Sequence, residues 1–340
     1  MGNITTSWVQ VHPSFVEPDI LMQYNQASGA FETLAGGDPL VKIGSEDLYV
    51  YIKRFDVRTK MNTGQSAYNQ LTSVSIVADM ISTPTYLQRV RAEYDHHDTA
   101  AFSNWGASIV EAQRLGMRQG HFQLLRNALL YGMNSGNGEG LLNAAGATTV
   151  NLPADTNGND TVLTYDNGQM AVFLITQLSA TKTRTMQLGM PQRFVICGPQ
   201  RTLGAFEYQN IVQLVQFQRE GAGSASTAQT VEAVAKWNGD QVDWVYDDTL
   251  IGKGAGGTDA VLIVMPEVKR PTRAKANTNI FATLKPGLDA CTVQYVDMAA
   301  PVEIPTPIPG GAIDVLSEMR ISSGWGFRPE SITIVSMQYS

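Results

Sequence analysis

The chain has 340 residues, of which 43% are hydrophobic and only 16% charged, and its formal net charge at pH 7 is -7. This length allows two domains with a substantial apolar core, and the acidic balance argues against a nucleic-acid-binding face. A sparsely charged surface is typical of a protein that is covered by copies of itself.

The first predicted elements are an arm and a long hairpin. Residues 1–40 show no sustained period and are interrupted by prolines and glycines, which predicts an extended arm. Alternating apolar residues over 48–57 and 74–80, separated by the polar tip 60–66, predict a two-stranded hairpin. Because an isolated hairpin is marginally stable in water, its partner is either the core of this chain or another subunit.

A further strand over 85–94 leads into one long helix, predicted from about Thr99 to Tyr131. Asp98 or Thr99 is the expected cap at its start, and Gly132 is the expected stop. At about 1.5 Å per residue this helix would be roughly 50 Å long, far longer than an average helix.

Apolar residues at helical spacing predict which face of this helix is buried. The predicted stripe comprises Phe102, Trp105, Ile109, Ala112, Leu115, Phe122, Leu125 and Leu129. Phe102, Trp105, Phe122 and Leu129 are predicted core residues, where truncation to alanine costs a few kcal/mol. Gly116 and Gly120 interrupt the stripe, so either another group approaches the backbone closely there or the helix bends.

The second half of the chain alternates helices and strands, which predicts a compact α/β domain. The predicted elements are a helix from about Asp166, a strand over 193–199, a helix over 199–217, and strands over 241–246 and 260–265. A strand over 291–302 and a stiff connector containing Pro305, Pro307 and Pro309 follow. The pattern therefore indicates an α+β protein without internal repeats.

Candidate chemistry is sparse. Residues 94–98, Tyr-Asp-His-His-Asp, form a polar strand-to-helix junction rather than a metal site, because neighbouring strand residues point to opposite faces. The loop 155–160 resembles a calcium loop but lacks its glycine and distal glutamate, which favours a solvated turn. The glycines of 252–257 lack the following helix of a phosphate-binding loop and predict a hairpin tip. The sequence therefore assigns no catalytic residue, cofactor or metal ligand.

Cysteine usage and hydropathy bear on the compartment. Cys197 and Cys291 lie in apolar strand-like runs, which favours buried free thiols over a disulfide. The N-terminus lacks the regions of a signal peptide, and no apolar run reaches the length of a membrane span. We therefore expect a protein made in the cytosol and without a membrane partner.

The order of the elements resembles that of a known family. The chain begins with an arm and a long hairpin, followed by a long helix that ends in Asn127-Ala-Leu-Leu-Tyr-Gly132 and leads through glycines to Gly140-Leu-Leu-Asn143. An α/β domain and a terminal Gly-x-x-x-Arg-Pro-x-x-Ile segment (Gly324 to Ile332) follow. In this order the elements resemble those of the major capsid proteins of tailed bacteriophages. Those proteins share the Hong Kong 97-type fold with the encapsulins. The resemblance covers essentially the whole chain.

The resemblance implies a division of the chain. Residues 1–40 would be the N-terminal arm, 41–82 the extended E-loop hairpin over a neighbouring subunit, and 83–150 with 301–340 the P-domain containing the long helix. Residues 151–300 would be the α/β A-domain. The sequence lacks a charged, heptad-rich segment ahead of the arm, which implies that the scaffolding protein is separate or that such a segment was already removed.

The resemblance also implies a structural function and its partners. Pentamers and hexamers of this chain would close an icosahedral shell, the virion capsid, around double-stranded DNA. The shell would enclose the DNA without sequence-specific binding and would be assembled in the cytoplasm of a bacterial host. A portal protein would be a further partner, and the resemblance also admits a decoration protein. Candidates for charged contacts between subunits are Lys53, Arg54, Arg58, Lys60, Glu111, Arg114 and Arg118, each of which is equally compatible with simple solvation.

Two other functions stay open at this point. An encapsulin-like shell would hold an enzyme cargo instead of DNA. A cytosolic α/β enzyme would form a small oligomer and carry a cluster of perturbed titratable groups in a pocket of residues 151–300.

Overall fold

The computed structural model describes residues 33–34, 41–44, 46–58, 75–103, 108–134, 136, 138–185, 191–208, 226–266, 296–298, 301–322 and 328–340. The helices in these ranges are α1 (His96–Ser103), α2 (Ile109–Tyr131), α3 (Asn167–Arg184), α4 (Gln200–Tyr208) and α5 (Thr227–Trp237). The strands are β1 (Val41–Ile43), β2 (Tyr49–Arg58), β3 (Ser75–Tyr94), β4 (Thr148–Asn151), β5 (Arg193–Gly198), β6 (Gln241–Tyr246), β7 (Asp259–Val264), β8 (Val296–Met298), β9 (Val302–Ile308), β10 (Ala312–Ser322) and β11 (Ile332–Met337).

The first sheet has the strand order β1-β8-β10-β3-β2, and β9 pairs with β10. Its central feature is β3, one strand of 20 residues where the sequence indicated two shorter ones. The second half of β3 pairs with β10, from Thr85↔Ser322 to Tyr94↔Ile313. The first half pairs with β2 alone among the described strands, from Ser75↔Arg58 to Pro84↔Tyr49. β2 and this half of β3 therefore form a two-stranded ribbon that projects beyond the sheet.

The second sheet has the order β4-β11-β7-β5-β6 and separates two apolar clusters. Alternate residues of β5, β7 and β11 enter opposite clusters, as expected for a strand buried on both faces. In β5, Val195 contributes to the cluster containing the end of α2, whereas Ile196 contributes to the cluster beneath α3, α4 and α5. All six residues of β7 are buried. This sheet is the middle layer of an α/β sandwich.

The predicted continuous helix over 99–131 is wrong. α2 begins at Ile109, where the Ser108 side chain accepts a hydrogen bond from the backbone N–H of Glu111. α1 is a separate helix whose start is capped by Asp95, since Asp95 and Asp98 each accept a hydrogen bond from the other's backbone N–H. α2 has 23 residues, so its length is about 35 Å at 1.5 Å per residue.

The end of α2 follows the prediction and shows why its loop contains glycines. Gly132 has a φ of 73° and ends the helix. The chain then folds back, and the backbone N–H groups of Leu141 and Leu142 donate to the carbonyls of Leu129 and Leu130, each at 3.0 Å. These bonds satisfy helix carbonyls that otherwise lack partners. The return places Gly140 so close that a Cβ there would lie 2.4 Å from the carbonyl carbon of Tyr131.

Other predicted elements are corrected by the strand pairing. The proline connector forms strand β9, in which Pro305 pairs with Val315 and Pro307 with Ile313; prolines are tolerated there because β9 has no second neighbour among the described strands. The loop 252–257 is not a hairpin tip, since β5 lies between β6 and β7. β11, assigned to the P-domain by its position in the chain, belongs to the second sheet.

Candidate functional site: the subunit surfaces

The ribbon exposes large apolar side chains. Tyr51 on β2 is 62% exposed, Met80 on β3 is 55% exposed, and Tyr49 and Leu48 are similarly open. In the antiparallel register Tyr49 pairs with Pro84 and Tyr51 with Ser82, which places these β2 residues and the even-numbered β3 residues on one face. This face is an apolar surface that no described part of the same subunit covers.

Four of the predicted contact residues lie in the hairpin region. The backbone of Lys53, Arg54 and Arg58 lies in β2, but their side chains are outside the described part of the structure. Lys60 lies outside the described residues altogether.

The other three predicted contact residues lie on α2, and the structure brings two of them together. Arg114 contacts Glu111 one turn earlier at 3.1 Å and Glu303 of β9 at 3.0 Å. The attraction of Glu303, followed by the hydrogen bond with Glu111, raises the pKa of Arg114 above its usual value. Arg118 is exposed. Glu111 and Arg114 therefore attach α2 to an edge strand within one subunit.

The predicted core residues on the two helices differ in burial. Leu129 is fully buried, and Phe122 is partly buried against the same apolar cluster. Phe102 is 41% exposed on α1, so its assignment to the subunit core is wrong. The reason is that α1 is short and separate from α2 and has no buried residue. Trp105 lies outside the described residues.

The buried face of α2 also differs from the predicted stripe. Met117 and His121 are buried, whereas Leu115 is exposed. His121 is 3% exposed, and its Nε2 lies 3.1 Å from the Ser317 hydroxyl on β10. Burial lowers the pKa of His121 below its ordinary value. A polar contact therefore connects this helix to the first sheet.

The glycines of α2 are open within the subunit. A Cβ added at Gly116 or Gly120 would meet no atom within 4 Å outside the adjacent backbone of its own helix. The close approach that the sequence indicated does not come from the described part of the same chain.

The aspartate- and histidine-rich junction is a structural cap. The rings of His96 and His97 lie tilted by 40° with their centroids 3.9 Å apart at the start of α1. The pKa of Asp95 is lowered below its usual range, chiefly because its carboxylate accepts a hydrogen bond from the Asp98 backbone N–H. No group of three or more histidine, cysteine, aspartate or glutamate residues that could hold a metal occurs in the described ranges.

The loop at 155–160 is a turn organised by one buried carboxylate. Asp155 is buried and accepts hydrogen bonds from the backbone N–H groups of Asn157 and Asn159 at 2.8 Å, and from that of Asp166 at 3.2 Å. Desolvation opposes ionisation, but these donors together hold the pKa of Asp155 below its ordinary value. The turn is therefore anchored rather than merely solvated, and it positions the cap of α3, Asp166.

One open depression of about 550 Å³ lies between α4 and the end of β11. It is the natural candidate for a hidden enzyme site, and its charged lining residues include Arg201 and Asp248. Arg201 donates to both carboxylate oxygens of Asp259 and lies 5.0 Å from the Tyr339 ring centroid. Asp248 accepts the backbone N–H of Gln200 at 2.8 Å. Both groups hold α4 in place.

Three further results bear on cysteine and membrane chemistry. Cys197 is a fully buried free thiol, and burial raises its pKa far above the ordinary value. Cys291 lies outside the described residues. None of the helices in the described ranges has the length and apolar character needed to cross a bilayer.

Comparison with solved structures identifies the architecture. Over 95% of this chain and 96% of the other, the fold matches the capsid of the Myoviridae phage XM1 with a TM-score of 0.63 and 9% identity. The capsid of the empty gene transfer agent particle matches over 96% of this chain and 95% of the other, with a TM-score of 0.54 and 12% identity. The mature capsid of bacteriophage PhiM1 matches over 96% of this chain and 92% of the other, with a TM-score of 0.53 and 14% identity.

No protein-family model matches the chain, and no curated protein sequence matches it. The likeness therefore lies in the fold, at identities where sequence comparison finds nothing. The Hong Kong 97-type fold predicted from the order of the elements is confirmed, and the chain has the architecture of a tailed-phage capsid subunit.

Proposed function

We propose that this protein is the major capsid protein of a tailed bacteriophage or prophage. Its copies form pentamers and hexamers that close an icosahedral shell around double-stranded DNA, and it has no catalytic role. The match to capsid subunits over nearly the full length of both chains supports a shell-forming role. A portal, a separate scaffolding protein and a decoration protein belong to the same proposal, as does assembly in the host cytoplasm.

The observation that carries the proposal is the projecting ribbon. Its ten residue pairs extend about 33 Å beyond the sheet at roughly 3.3 Å per residue. A two-stranded ribbon is marginally stable in water, and this one exposes the apolar side chains of Tyr49, Tyr51 and Met80. Burial of such side chains stabilises by roughly 1.5–3 kcal/mol each. A neighbouring copy that covers this face would stabilise both the ribbon and the shell.

The division of the chain follows from this function. Residues 41–82 act as the E-loop over a neighbour. Residues 83–150 without β4, most of 301–340, and β8 act as the P-domain, and the rest of 151–300 together with β4 and β11 acts as the A-domain. The arm proposed for 1–40 lies almost entirely outside the described residues. All seven charged contact candidates remain part of the proposal. On α2, Arg118 is exposed, and the side chains of Arg114 and Glu111 are 42% and 70% exposed although they pair with each other.

The test is to express the chain alone and with its neighbouring genes, then to image the product by negative-stain electron microscopy after size-exclusion chromatography. We expect closed shells or capsomer rings of five and six. A monomer or dimer under every condition would contradict the proposal. Shells that hold an enzyme and neither scaffold nor DNA would identify an encapsulin instead.

A matched pair of variants tests the role of the ribbon. Tyr51→Ser removes apolar surface from the exposed face, whereas Tyr51→Phe keeps it. We expect both subunits to fold, since Tyr51 is exposed in the subunit, but only the serine variant to lose shells. Removal of residues 60–66 should have the same effect, and wild-type shells from that deletion would count against the E-loop assignment.

A further inference from the structure

The outward faces of α3 and α5 form one continuous surface beside the second sheet. The two helices pack side by side on the same apolar cluster. They run parallel, because the Thr227 hydroxyl at the start of α5 donates to the Asn167 carbonyl at the start of α3. At the other end, the Lys182 ammonium of α3 binds Asp240, just beyond α5, at 2.7 Å.

The exposed side of α3 contains no charged side chain. Its exposed positions Val172, Thr176, Ser179 and Thr183 recur at intervals of four, three and four, which places them on one stripe. The stripe is about 17 Å long at 1.5 Å per residue. Val172 is 64% exposed. An uncharged stripe of this length is unusual for a helix face that meets water.

The two cations of α3 are turned inward. Lys182 binds Asp240, and the Arg184 guanidinium donates to the Thr333 hydroxyl and to the Glu330 carbonyl. The hydroxyl of Thr176 donates to the Val172 carbonyl at 2.7 Å within the helix. The outer stripe therefore presents neither a charge nor a hydroxyl donor from Thr176 to its surroundings.

On α5 the exposed apolar group is larger. Trp237 is 91% exposed, and Val234 is exposed one turn before it. The acidic residue of this helix, Glu232, is directed to the sheet edge, where its carboxylate accepts a hydrogen bond from the Trp244 indole at 2.7 Å. We define the α3–α5 face as Val172, Thr176, Ser179, Thr183, Val234 and Trp237.

We infer that the α3–α5 face packs against a second copy of this chain in the assembled shell, with Trp237 as its anchor. The inference rests on the proposed function, which surrounds each subunit with copies of itself. Each copy carries a net charge of -7, so repulsion between identical copies is weakest where their contact surfaces lack carboxylates. The α3–α5 face is such a surface, and tryptophan is among the side chains enriched at positions that dominate binding.

The experiment places a charge on the face and compares it with an uncharged substitution at the same position. Thr176→Arg introduces a cation that becomes buried without a partner if two copies meet there, whereas Thr176→Val retains shape and neutrality. Trp237→Ser and Trp237→Phe form a second matched pair on α5. Shell yield is measured by sedimentation velocity and electron microscopy under conditions where the wild-type chain forms shells.

We expect Thr176→Arg and Trp237→Ser to lower the shell yield by about tenfold or more. Thr176→Val and Trp237→Phe should stay near the wild-type yield. Circular dichroism and thermal melting should show that all four subunits fold, because both positions are exposed. If the arginine variant proves unfolded, Ser179→Lys repeats the measurement on the same stripe.

Two results would overturn the inference while the proposed function stands. In the first, wild-type and Thr176→Arg chains form shells equally well. In the second, the Thr176→Arg shells form but lose a different protein that binds to wild-type shells, which would assign the face to that partner. A wild-type chain that forms no shell under any condition overturns the proposed function and this inference with it.

Discussion

Gly140→Ala is the substitution whose effect the structure determines most directly. An added Cβ would lie 2.4 Å from the carbonyl carbon of Tyr131 and 2.5 Å from both the Gly132 nitrogen and the Leu130 oxygen. All three atoms belong to the backbone, so no side chain can rotate away. The returning segment must therefore move by about 1 Å to restore normal contact distances near 3.5 Å.

That displacement has a cost that can be estimated. It strains the 3.0 Å hydrogen bonds that Leu141 and Leu142 donate to the last carbonyls of α2. Overpacking costs about 1–3 kcal/mol, and each weakened hydrogen bond adds up to about 1 kcal/mol. We therefore expect Gly140→Ala to lower the free energy of unfolding by about 2–4 kcal/mol.

Gly116→Ala is the matched control, because a Cβ at that position of α2 meets nothing within 4 Å. Alanine in a helix interior is more stable than glycine by about 1 kcal/mol, so this variant should be more stable than wild type. Urea denaturation of unassembled subunits, followed by circular dichroism, measures both. Equal midpoints for Gly140→Ala and wild type would refute the argument. A stable Gly116→Ala subunit that fails to assemble would place a neighbouring copy against this part of α2.

The remaining predictions concern titration and thiol access. Because the pKa of His121 is lowered in the fold, the unfolded chain binds more protons below about pH 6.5, so stability should fall as the pH decreases from there. His121→Gln should make the urea midpoint depend less on pH in this range than it does in wild type. An equal pH dependence of the midpoint in the two proteins would contradict the lowered pKa of His121. Burial alone would raise the pKa of Asp259, but donors from Arg201, Thr202 and Gly252 reverse this and lower it. The stabilisation that ionised Asp259 provides should be complete above about pH 4 and decline below it. The Asp259→Asn variant should therefore have a lower free energy of unfolding than wild type at neutral pH, and that free energy should fall less than in wild type on acidification. The Cys197 thiol should resist alkylation in the folded subunit and react once urea unfolds the chain; rapid labelling without denaturant would show that β5 opens.

Local patterns predicted several elements because each pattern has one structural solution. The strand over 241–246 and the helix after Asp166 occur as the sequence indicated. Two capping signals were present but not recognised. Ser108 with Glu111 three residues later marks the start of α2, and Ser226 with Gln229 marks the start of α5. These pairs would have divided the long helix correctly and identified a helix that the periodicity did not.

Other features depend on contacts that a local pattern does not contain. β11 joins the second sheet because its residues pair with β7 and β4, which are distant in sequence. His121 is buried through its contact with Ser317, 196 positions away, and a polar residue does not contribute to an apolar stripe. The α3–α5 face was not predicted from the sequence, because α5 was not identified there and the outward side of α3 is uncharged only since Lys182 and Arg184 turn inward.

The two halves of α2 are attached to the subunit by different kinds of contact. The C-terminal half lies in the apolar cluster with the second sheet through residues such as Leu125 and Leu129, and truncating a buried leucine costs about 2–5 kcal/mol. The N-terminal half buries Ile109 and Met117 but is also held to the first sheet by polar contacts, including Arg114 with Glu303 and the Gln113 amide with the Glu93 carbonyl. Exposed polar contacts break and re-form more readily than a packed core. Adjustment between neighbouring copies would therefore occur at the N-terminal half of α2, while its C-terminal end stays fixed to the α/β sandwich.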